Sequence, residues 1–258
     1  MSVKKALTRK GYNFYEKRLR KKVLLERTPN HVAIIMDGNR RYAEDEGMDV
    51  NEGHARGKKK LEDVIDWCHD LGVKVLTVYA FSTENFSRPE EEVKYIMDML
   101  ESTFFAFAED ERIHENKVAL RVIGDRSMIP ESLMQAVEHA EARTEGYSNF
   151  HLNVAIAYGG RQEIISAVKK VAEEVKNDTL RIEDIDEQSI SDRLYTYDLP
   201  DPDLILRTSG ELRISNFLLW QLAYSEFYFS DVYWPGFRYT DFLRAIRSYQ
   251  QRFRRFGH

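Results

Sequence analysis

The sequence predicts a single α/β domain with a mainly parallel six-stranded sheet that is flanked by helices. Short apolar runs alternate along the chain with helical patterns of roughly 10 to 20 residues, as in βαβ units. A length of 258 residues is enough to bury a substantial core. A content of 43% hydrophobic and 31% charged residues is ordinary for a globular protein, which excludes extensive disorder.

Six segments are predicted as strands, because each is a short run of apolar and β-prone residues. In chain order they are 31–36, 74–81, 118–123, 150–158, 203–207 and 227–232. Helical patterns occupy 53–71, 90–115, 130–144, 161–176 and 240–255. Leu61, Val64, Cys68 and Leu71 mark the buried face of the first of these helices. Pro130 suits the first turn of the third.

The charge is divided between a basic N-terminal arm, residues 1–28, and the folded domain, residues 29–258. The arm contains ten Lys or Arg and two acids, a charge of +8, while the remainder carries −13 within a net charge of −5. A cationic arm predicts an anionic partner, either lipid headgroups or nucleic acid. The acidic body argues against nucleic acid. The alternative is a solvated helix that packs on the body.

Several protein classes are excluded or disfavoured. Cys68 is the one cysteine, so neither an intramolecular disulfide nor a cysteine-based zinc site is expected. We expect a cytoplasmic protein, because the first residues lead into charge and no apolar run is long enough to span a bilayer. The motifs GxxxxGK[ST], GxGxxG, HExxH and GxSxG are absent, which disfavours the familiar nucleotide-binding, zinc-protease and serine-hydrolase sites.

Arginines accompanied by small or hydroxyl residues follow five predicted strands. These segments are DGNRR (37–41), STENFSRP (82–89), GDR (124–126), GGR (159–161) and RTSGELRISN (207–216). The carboxyl ends of parallel strands share one edge of a sheet, where ligands bind. Guanidinium groups, hydroxyls and glycine backbone amides bind phosphate oxygens, so we expect a phosphate site there. The alternative is that these residues merely populate surface loops.

Two residues at this edge have a structural and a functional interpretation. Asp37 is either a helix N-cap or a carboxylate that binds Mg²⁺ together with phosphate oxygens. His54 is predicted in the first turn of its helix, on the inward side. There it is either a hydrogen-bonded structural histidine or a ligand of an anion at a helix N-terminus.

Six segments together resemble the cis-prenyltransferases, the undecaprenyl and dehydrodolichyl diphosphate synthase family. They are HVAIIMDGNRRYA (31–43), EGHARG (52–57), TVYAFSTENFSRPEEEV (77–93), LRVIGD (120–125), LNVAIAYGGRQEI (152–164) and PDLILRTSGELRISNFLLWQLAYSEFYFSDVYWP (202–235). The match extends over residues 31–257 in the same order. The Arg40-Arg41-Tyr42 form resembles archaeal and eukaryotic members.

The resemblance implies a homodimer that condenses isopentenyl diphosphate with an allylic C15 or C20 prenyl diphosphate. The reaction would depend on Mg²⁺ and form cis double bonds, for synthesis of a polyprenyl lipid carrier. In this context the arm predicts peripheral contact with the cytosolic membrane face. The alternatives are a non-catalytic partner subunit of the same fold and an enzyme with another acceptor, such as a small alcohol.

The resemblance also implies roles for individual residues. The allylic diphosphate would be held by Gly38, Asn39, Arg40 and Arg41. Departure of that diphosphate would be assisted by Asp37, through Mg²⁺, and by His54. The reacting groups would be oriented by Ser82 and Asn85, with Arg88 close by. Isopentenyl diphosphate would be held by Arg207, Arg213 and Ser215. Glu226 would help to bind Mg²⁺, either directly or through the groups that surround the ion, and Arg255 and Gly257 of a C-terminal RxG motif would reach into the partner subunit's site.

Two features differ from typical bacterial members. Val50 stands where those members have an arginine four residues before the histidine. The segment between Glu92 and Asp125 is longer, and in the family it lines the product tunnel, so product length cannot be carried over. Candidate tunnel residues are Ala80, Ile96, Leu100, Phe104, Phe105, Val122 and Ile156. The alternative is that most of them belong to the core, since only residues that line a cavity would count.

Overall fold

The computed structural model describes residues 3–253, which form a parallel sheet covered by helices. The strands are β1 (His31–Ile35), β2 (Val75–Ser82), β3 (Val118–Ile123), β4 (Phe150–Tyr158), β5 (Leu204–Arg207) and β6 (Glu226–Phe229). Their spatial order is β3-β4-β2-β1-β5-β6, and every neighbouring pair is parallel. The predicted six-stranded α/β fold is therefore confirmed.

Helices connect and cover the strands. They are α1 (Val3–Val23), α2 (Asn39–Asp45), α3 (Val50–Asp70), α4 (Glu90–Glu109), α5 (Glu111–Glu115), α6 (Glu131–Arg143), α7 (Gly160–Lys176), α8 (Glu187–Ser191) and α9 (Tyr239–Phe253). Short 3₁₀ turns occupy Thr83–Ser87, Arg126–Met128, Ile182–Asp184 and Trp234–Gly236. Within residues 3–253, no helix combines the length and the apolar character that crossing a membrane requires.

Three local predictions differ from the structure. The helix predicted over 90–115 breaks at Asp110, which has an extended backbone and whose side chain accepts a hydrogen bond from the Arg112 amide. Strand β6 ends at Phe229 rather than at residue 232. Helix α3 begins at Val50, with Asp49 as its N-cap. His54 therefore lies beyond the first turn of α3. The prediction that placed it in the first turn, where backbone amides are free to bind an anion, is wrong.

The last turns of the basic arm pack on the folded body. Leu19 and Val23 are buried in the main core. Arg20 forms a bidentate ion pair with Asp70 at the end of α3. The Gln250 amide of α9 donates to the carbonyl of Val23 at 2.8 Å. This part of α1 is therefore held by both apolar burial and polar contacts.

A buried polar chain crosses β1, β2 and β4. The His31 ring bonds to the Pro200 carbonyl at 2.7 Å and to the Thr77 hydroxyl at 2.8 Å. Asn153 donates to the same hydroxyl at 3.0 Å. His31 is only 1% exposed. Burial lowers the pKa of His31 to about 4, and the Pro200 carbonyl and Asp203 only partly offset this.

This low pKa predicts a loss of stability in acid. In the unfolded chain a histidine titrates near the ordinary value of about 6.5, so between that pH and 4 the unfolded state binds more protons. The free energy of unfolding should therefore fall by about 2–3 kcal/mol from pH 7 to pH 4.5 through this residue. Urea denaturation of wild type and His31→Gln at both pH values measures the effect. The exposed His69→Gln is the control, and an equal pH slope in His31→Gln and wild type would contradict the assignment.

Candidate active site

The strand carboxyl ends surround a cavity of about 490 Å³ with a polar mouth and an apolar interior. The register places Ile35 of β1 beside Tyr79 of β2 and Arg207 of β5, so the segments after these strands converge. The predicted site residues that line this carboxyl-edge cavity are Asp37, Gly38, Asn39, Arg40, Arg41, His54, Ser82, Asn85, Arg88, Arg207, Arg213 and Ser215. The topology thus brings together residues from four separate segments of the chain.

Asp37 pairs with Arg207 across the ends of β1 and β5. The Arg207 guanidinium donates to the Asp37 carboxylate at 2.7 Å, and Arg41 Nη2 lies 3.7 Å from the other carboxylate oxygen. Burial disfavours the charged form of Asp37, but hydrogen bonding and charge from Arg207, joined by Ser209 and Arg41, outweigh it. They hold the pKa of this carboxyl below its usual range. Asp37 is therefore ionised in the site.

The N-cap of α2 is Gly38 rather than Asp37. Gly38 has a φ of 101° and gives no side-chain cap. A Cβ at this position would lie 2.8 Å from the Tyr233 ring and 2.9 Å from Ser209 Cβ. Both the conformation and the close approach therefore favour glycine. The structural interpretation of Asp37 as an N-cap is excluded, which leaves its carboxylate at the cavity.

A second acid joins the two predicted phosphate subsites. Glu211 accepts a hydrogen bond from Arg41 at 3.0 Å and pairs through its other oxygen with Arg213. Arg41 also donates to the Ser209 hydroxyl at 2.7 Å. Sequence reasoning missed Glu211, because an acid is not expected among phosphate ligands. Here it acts as the counter-ion of two guanidinium groups.

The segment after β5 adopts a left-handed backbone at Ser215 and Asn216, with φ angles of 48° and 63°. Arg207 donates to the Ser215 hydroxyl at 2.8 Å and to the carbonyl of Arg213. The Gly160 amide donates to the Asn216 carbonyl at 2.7 Å. Such backbone strain persists only where the surroundings impose it. These contacts fix the position of Ser215 relative to Arg207.

His54 is buried against Glu92, another residue that sequence reasoning missed. The His54 Nε2 atom lies 3.2 Å from the Glu92 carboxylate. Arg88 donates to the same oxygen at 3.1 Å, and Arg40 Nη1 lies 3.5 Å from the other oxygen. Burial lowers the pKa of His54; Glu92 opposes this shift, while Arg88 and Arg40 add to it. The sequence signal that could have identified Glu92 is an acidic residue on the otherwise apolar face of α4.

Ser82 and Asn85 bond to each other at the end of β2. They form a reciprocal capping box at the 3₁₀ turn Thr83–Ser87, in which the Ser82 amide donates to Asn85 Oδ1 at 3.0 Å. Both side chains line the cavity mouth. Their proposed role in orienting the reacting groups remains a prediction.

The apolar interior of the cavity lies between the sheet and α3 and α4. Of the predicted tunnel residues, Ala80, Ile96, Leu100 and Phe104 line it, and Phe107 also does. The other three predictions are wrong for this cavity. Phe105 is 43% exposed and faces His139. Val122 and Ile156 are buried in the core. Neither is among the described residues that line the cavity.

The residues at the cavity mouth could bind Mg²⁺ only together with oxygen atoms of the substrate. Across residues 3–253 no group of three or more His, Cys, Asp or Glu side chains could hold a metal ion. Asp37 offers one ionised carboxylate at the cavity. Mg²⁺ is typically held by one or two carboxylates, with substrate phosphate oxygens and water completing its shell. Asp37 therefore suits an ion that arrives with a diphosphate.

Glu226 does not meet Asp37 within the chain. It begins β6 beside Leu204, whereas Arg207 is paired with Phe229, so Glu226 lies at the amino edge of the sheet. Its carboxylate bonds to Arg252 of α9 at 2.9 Å. The prediction that Glu226 joins Asp37 at the metal is therefore wrong for a single protomer. Arg255 and Gly257 lie outside the described residues.

Comparison with known proteins identifies similar sequences along almost the whole chain. The sequence model of the family described as putative undecaprenyl diphosphate synthase matches residues 35–257. A tritrans,polycis-undecaprenyl-diphosphate synthase (geranylgeranyl-diphosphate specific) of Methanopyrus kandleri is 56% identical over 246 residues, covering 95% of this chain and 91% of that protein. The relative of the same name from Methanocaldococcus jannaschii is 55% identical over 245 residues, covering 94% and 88%.

Two solved structures share the fold. Lavandulyl diphosphate synthase from Lavandula x intermedia, in complex with dimethylallyl diphosphate, has a TM-score of 0.83 and 40% identity, covering 86% of this chain and 95% of that chain. A probable undecaprenyl diphosphate synthase from Campylobacter jejuni has a TM-score of 0.72 and 33% identity, covering 90% and 100%. The similarity thus includes the segments that surround the carboxyl-edge cavity.

Proposed function

The chain belongs to the undecaprenyl diphosphate synthase family and is a cis-prenyltransferase, and from this premise we propose that it extends geranylgeranyl diphosphate with isopentenyl diphosphate. The observation that carries the proposal is the carboxyl-edge cavity, in which an arginine-rich mouth continues into an apolar interior. A prenyl diphosphate has the same division into a charged head and an apolar chain. The C20 primer is proposed because the archaeal relatives are named as specific for it.

The arginines at the mouth divide into two groups that suit two diphosphates. Arg40 and Arg41 follow β1, and Arg207 and Arg213 accompany the segment after β5. Planar guanidinium groups bind diphosphate oxygens in bidentate fashion. We assign the first group to the allylic diphosphate and the second, with Ser215, to isopentenyl diphosphate. Held side by side, the two substrates would need no further diffusion before reaction.

Asp37 is the residue proposed to hold Mg²⁺ with the substrate oxygens. When bound, Mg²⁺ would supply positive charge that stabilises the departing diphosphate. Arg41 and Arg207 keep the Asp37 carboxylate ionised and fixed at the junction of the two arginine groups. The buried walls of the interior would exclude water from the allylic carbon while the isopentenyl double bond attacks it. The proton that leaves would go to a diphosphate oxygen or to a water near Ser82 and Asn85.

The proposal is tested by incubating the protein with labelled isopentenyl diphosphate, Mg²⁺ and one allylic diphosphate at a time. The C5, C10, C15 and C20 primers form the series, since one structural relative was solved with the C5 compound. We expect the highest kcat/KM with geranylgeranyl diphosphate. Incorporation that is highest with C15 would overturn the primer assignment. Failure of all four primers would favour the non-catalytic partner subunit.

The apolar interior predicts which residues limit product length. Leu100 is buried and lines the cavity one turn of α4 below Ile96. In Leu100→Trp the indole ring would extend into the apolar interior of the cavity. The products should therefore contain fewer isoprene units, while the first condensation persists. Chromatography of dephosphorylated products measures the shift. The matched control is Phe105→Trp on the exposed face of the same helix, and equal product lengths in both variants would contradict the tunnel assignment.

We further propose that the protein works as a cytoplasmic homodimer whose products serve as polyprenyl lipid carriers. The basic arm would contact the anionic cytosolic membrane face, since Lys17, Arg18 and Lys21 are exposed on α1 together with Phe14. Sedimentation equilibrium tests the dimer. Flotation with anionic liposomes, comparing wild type with the triple Glu variant of those basic residues, tests the arm. Substitution is preferable to removal of the arm because Val23 belongs to the core.

A further inference from the structure

Glu92 is a buried acid on an apolar face. On α4 it aligns with Ile96, Leu100 and Phe104, all of which are buried, and its own side chain is only 8% exposed. A buried carboxylate is costly unless charged donors satisfy it. The adjacent Glu91 is exposed to solvent. Of these two neighbouring acids, Glu92 is therefore the one whose burial requires charged hydrogen-bond donors.

The partners of Glu92 come from three separate elements. His54 belongs to α3 and lies 3.2 Å away, Arg88 precedes α4 and donates at 3.1 Å, and Arg40 belongs to α2 and lies 3.5 Å away. All three partners line the carboxyl-edge cavity, whereas Glu92 is not among its described lining residues. Glu92 thus contacts three residues that line the cavity without lining it itself.

The contact with Glu92 determines which nitrogen of His54 carries the proton. A carboxylate accepts, so the neutral ring bears its hydrogen on Nε2, and Nδ1 is left with a lone pair. The charged groups that act on the ring are Glu92, Arg88 and Arg40, and Lys58, one turn along α3, lines the same cavity. Burial disfavours a positive ring in the protein alone, and Arg88 and Arg40 add to this effect while Glu92 opposes it. A ring in this state cannot donate to a diphosphate oxygen through Nδ1.

An incoming diphosphate changes this balance of charge. It adds negative charge on the cavity side of the ring, while Glu92 remains on the other side. An imidazolium between two anions is stabilised, and it can donate from both nitrogens. The proton comes from solvent and binds at Nδ1, so no covalent bond of the substrate is involved.

We propose that Glu92 is a positioning residue that fixes the Nε2–H form of His54 and causes His54 to take up a proton when the allylic diphosphate binds. This inference rests on the proposed function, because it assigns the allylic diphosphate to this end of the cavity. His54 would then present a positive donor to the leaving group at the moment when negative charge develops there. Glu92 acts through His54 and does not touch the substrate.

Calorimetric titration with geranylgeranyl diphosphate alone measures the proton uptake, because no condensation occurs without isopentenyl diphosphate. Titrations at pH 7.5 in HEPES and in Tris buffer, neither of which contains phosphate, give the number of protons taken up from the dependence on buffer ionisation. We expect greater uptake in wild type than in His54→Gln or Glu92→Gln. Protonation of the ligand itself is common to all variants and cancels in the comparison. Equal uptake in all three proteins would overturn the proposal.

Kinetics supply a second readout that a merely structural role would not change. In Glu92→Gln, kcat should fall about ten- to a hundredfold, the range seen when the carboxylate partner of a metal-ligating histidine is lost. The alkaline limb of its pH profile should move to lower pH, because the imidazolium has lost its counter-charge. Glu92→Asp keeps the charge and should restore the wild-type profile. Glu91→Gln is the matched control on the same helix, and thermal unfolding monitors folding in each variant.

The outcomes separate this inference from the proposed function. Binding and turnover of geranylgeranyl diphosphate with no difference in proton uptake would contradict the role of Glu92 and leave the function intact. Absence of both binding and turnover in wild type would contradict the proposed function itself. A Glu92→Gln pH profile identical to wild type would also overturn the positioning role.

Discussion

Replacement of Asp37 by Ala is expected to lower kcat by roughly three orders of magnitude while the protein remains folded. The carboxylate is the proposed Mg²⁺ ligand, and it stands between Arg207 and Arg41 at the junction of the two arginine groups. Its side chain is 29% exposed at the cavity edge, so its removal leaves the apolar core intact. Initial rates of label incorporation at saturating substrate and Mg²⁺ measure the loss.

A matched control and a second variant sharpen this prediction. Asp45→Ala changes an exposed acid at the end of α2 and should keep wild-type rates. Asp37→Asn preserves the shape of the side chain but not its charge, so it should be nearly as inactive as Asp37→Ala. If Asp37→Asn retained wild-type turnover, a charged ligand at this position would be unnecessary and the Mg²⁺ assignment would be wrong.

The second large effect is expected for Arg207→Met, which should lower kcat/KM for isopentenyl diphosphate by roughly a hundred- to a thousandfold. The guanidinium donates to Asp37 and Ser215, so its loss removes a phosphate ligand and releases both neighbours. Burial raises the pKa of Asp37, and Arg207 is the main group that opposes this. Without Arg207 the pKa of that carboxyl should therefore rise. The acid limb of the rate profile should consequently move to higher pH.

Steady-state kinetics with varied isopentenyl diphosphate, repeated from pH 5 to pH 9, measure both effects. Arg181→Met is the control, since Arg181 is 77% exposed and its ion-pair partner within residues 3–253 is Asp184 of its own turn. Lysine at position 207 should restore little activity, because an ammonium cannot reproduce the planar fork that joins Asp37 and Ser215. A variant with unchanged KM and an unchanged acid limb would contradict the assigned role of Arg207.

The fold was largely predictable because the strands are short apolar runs separated by helical patterns. Such runs are typical of strands buried on both faces, and parallel pairing follows from the intervening helices. The break at Asp110 was not predictable in the same way. Neither Gly nor Pro marks it, and it depends on Asp110 capping the next helix through the Arg112 amide. The start of α3 depends likewise on the cap at Asp49.

The site was predictable where topology alone decides which residues meet. Asp37 and Arg207 follow neighbouring parallel strands, so their proximity follows from the sheet. Glu92 and Glu211 were missed because their role is to hold arginines and a histidine, which a search for phosphate ligands does not reveal. Glu226 was misplaced because the register of β6, which a sequence does not specify, sets it at the opposite edge.

The most direct test of the account is the double-bond geometry of the product formed from geranylgeranyl diphosphate and isopentenyl diphosphate in the presence of Mg²⁺. Isolated product is examined by NMR, which distinguishes cis from trans isoprene units. We predict that every added unit is cis and that the three trans double bonds of the primer are retained. Trans units in the added chain, or a primer recovered without extension, would contradict the account.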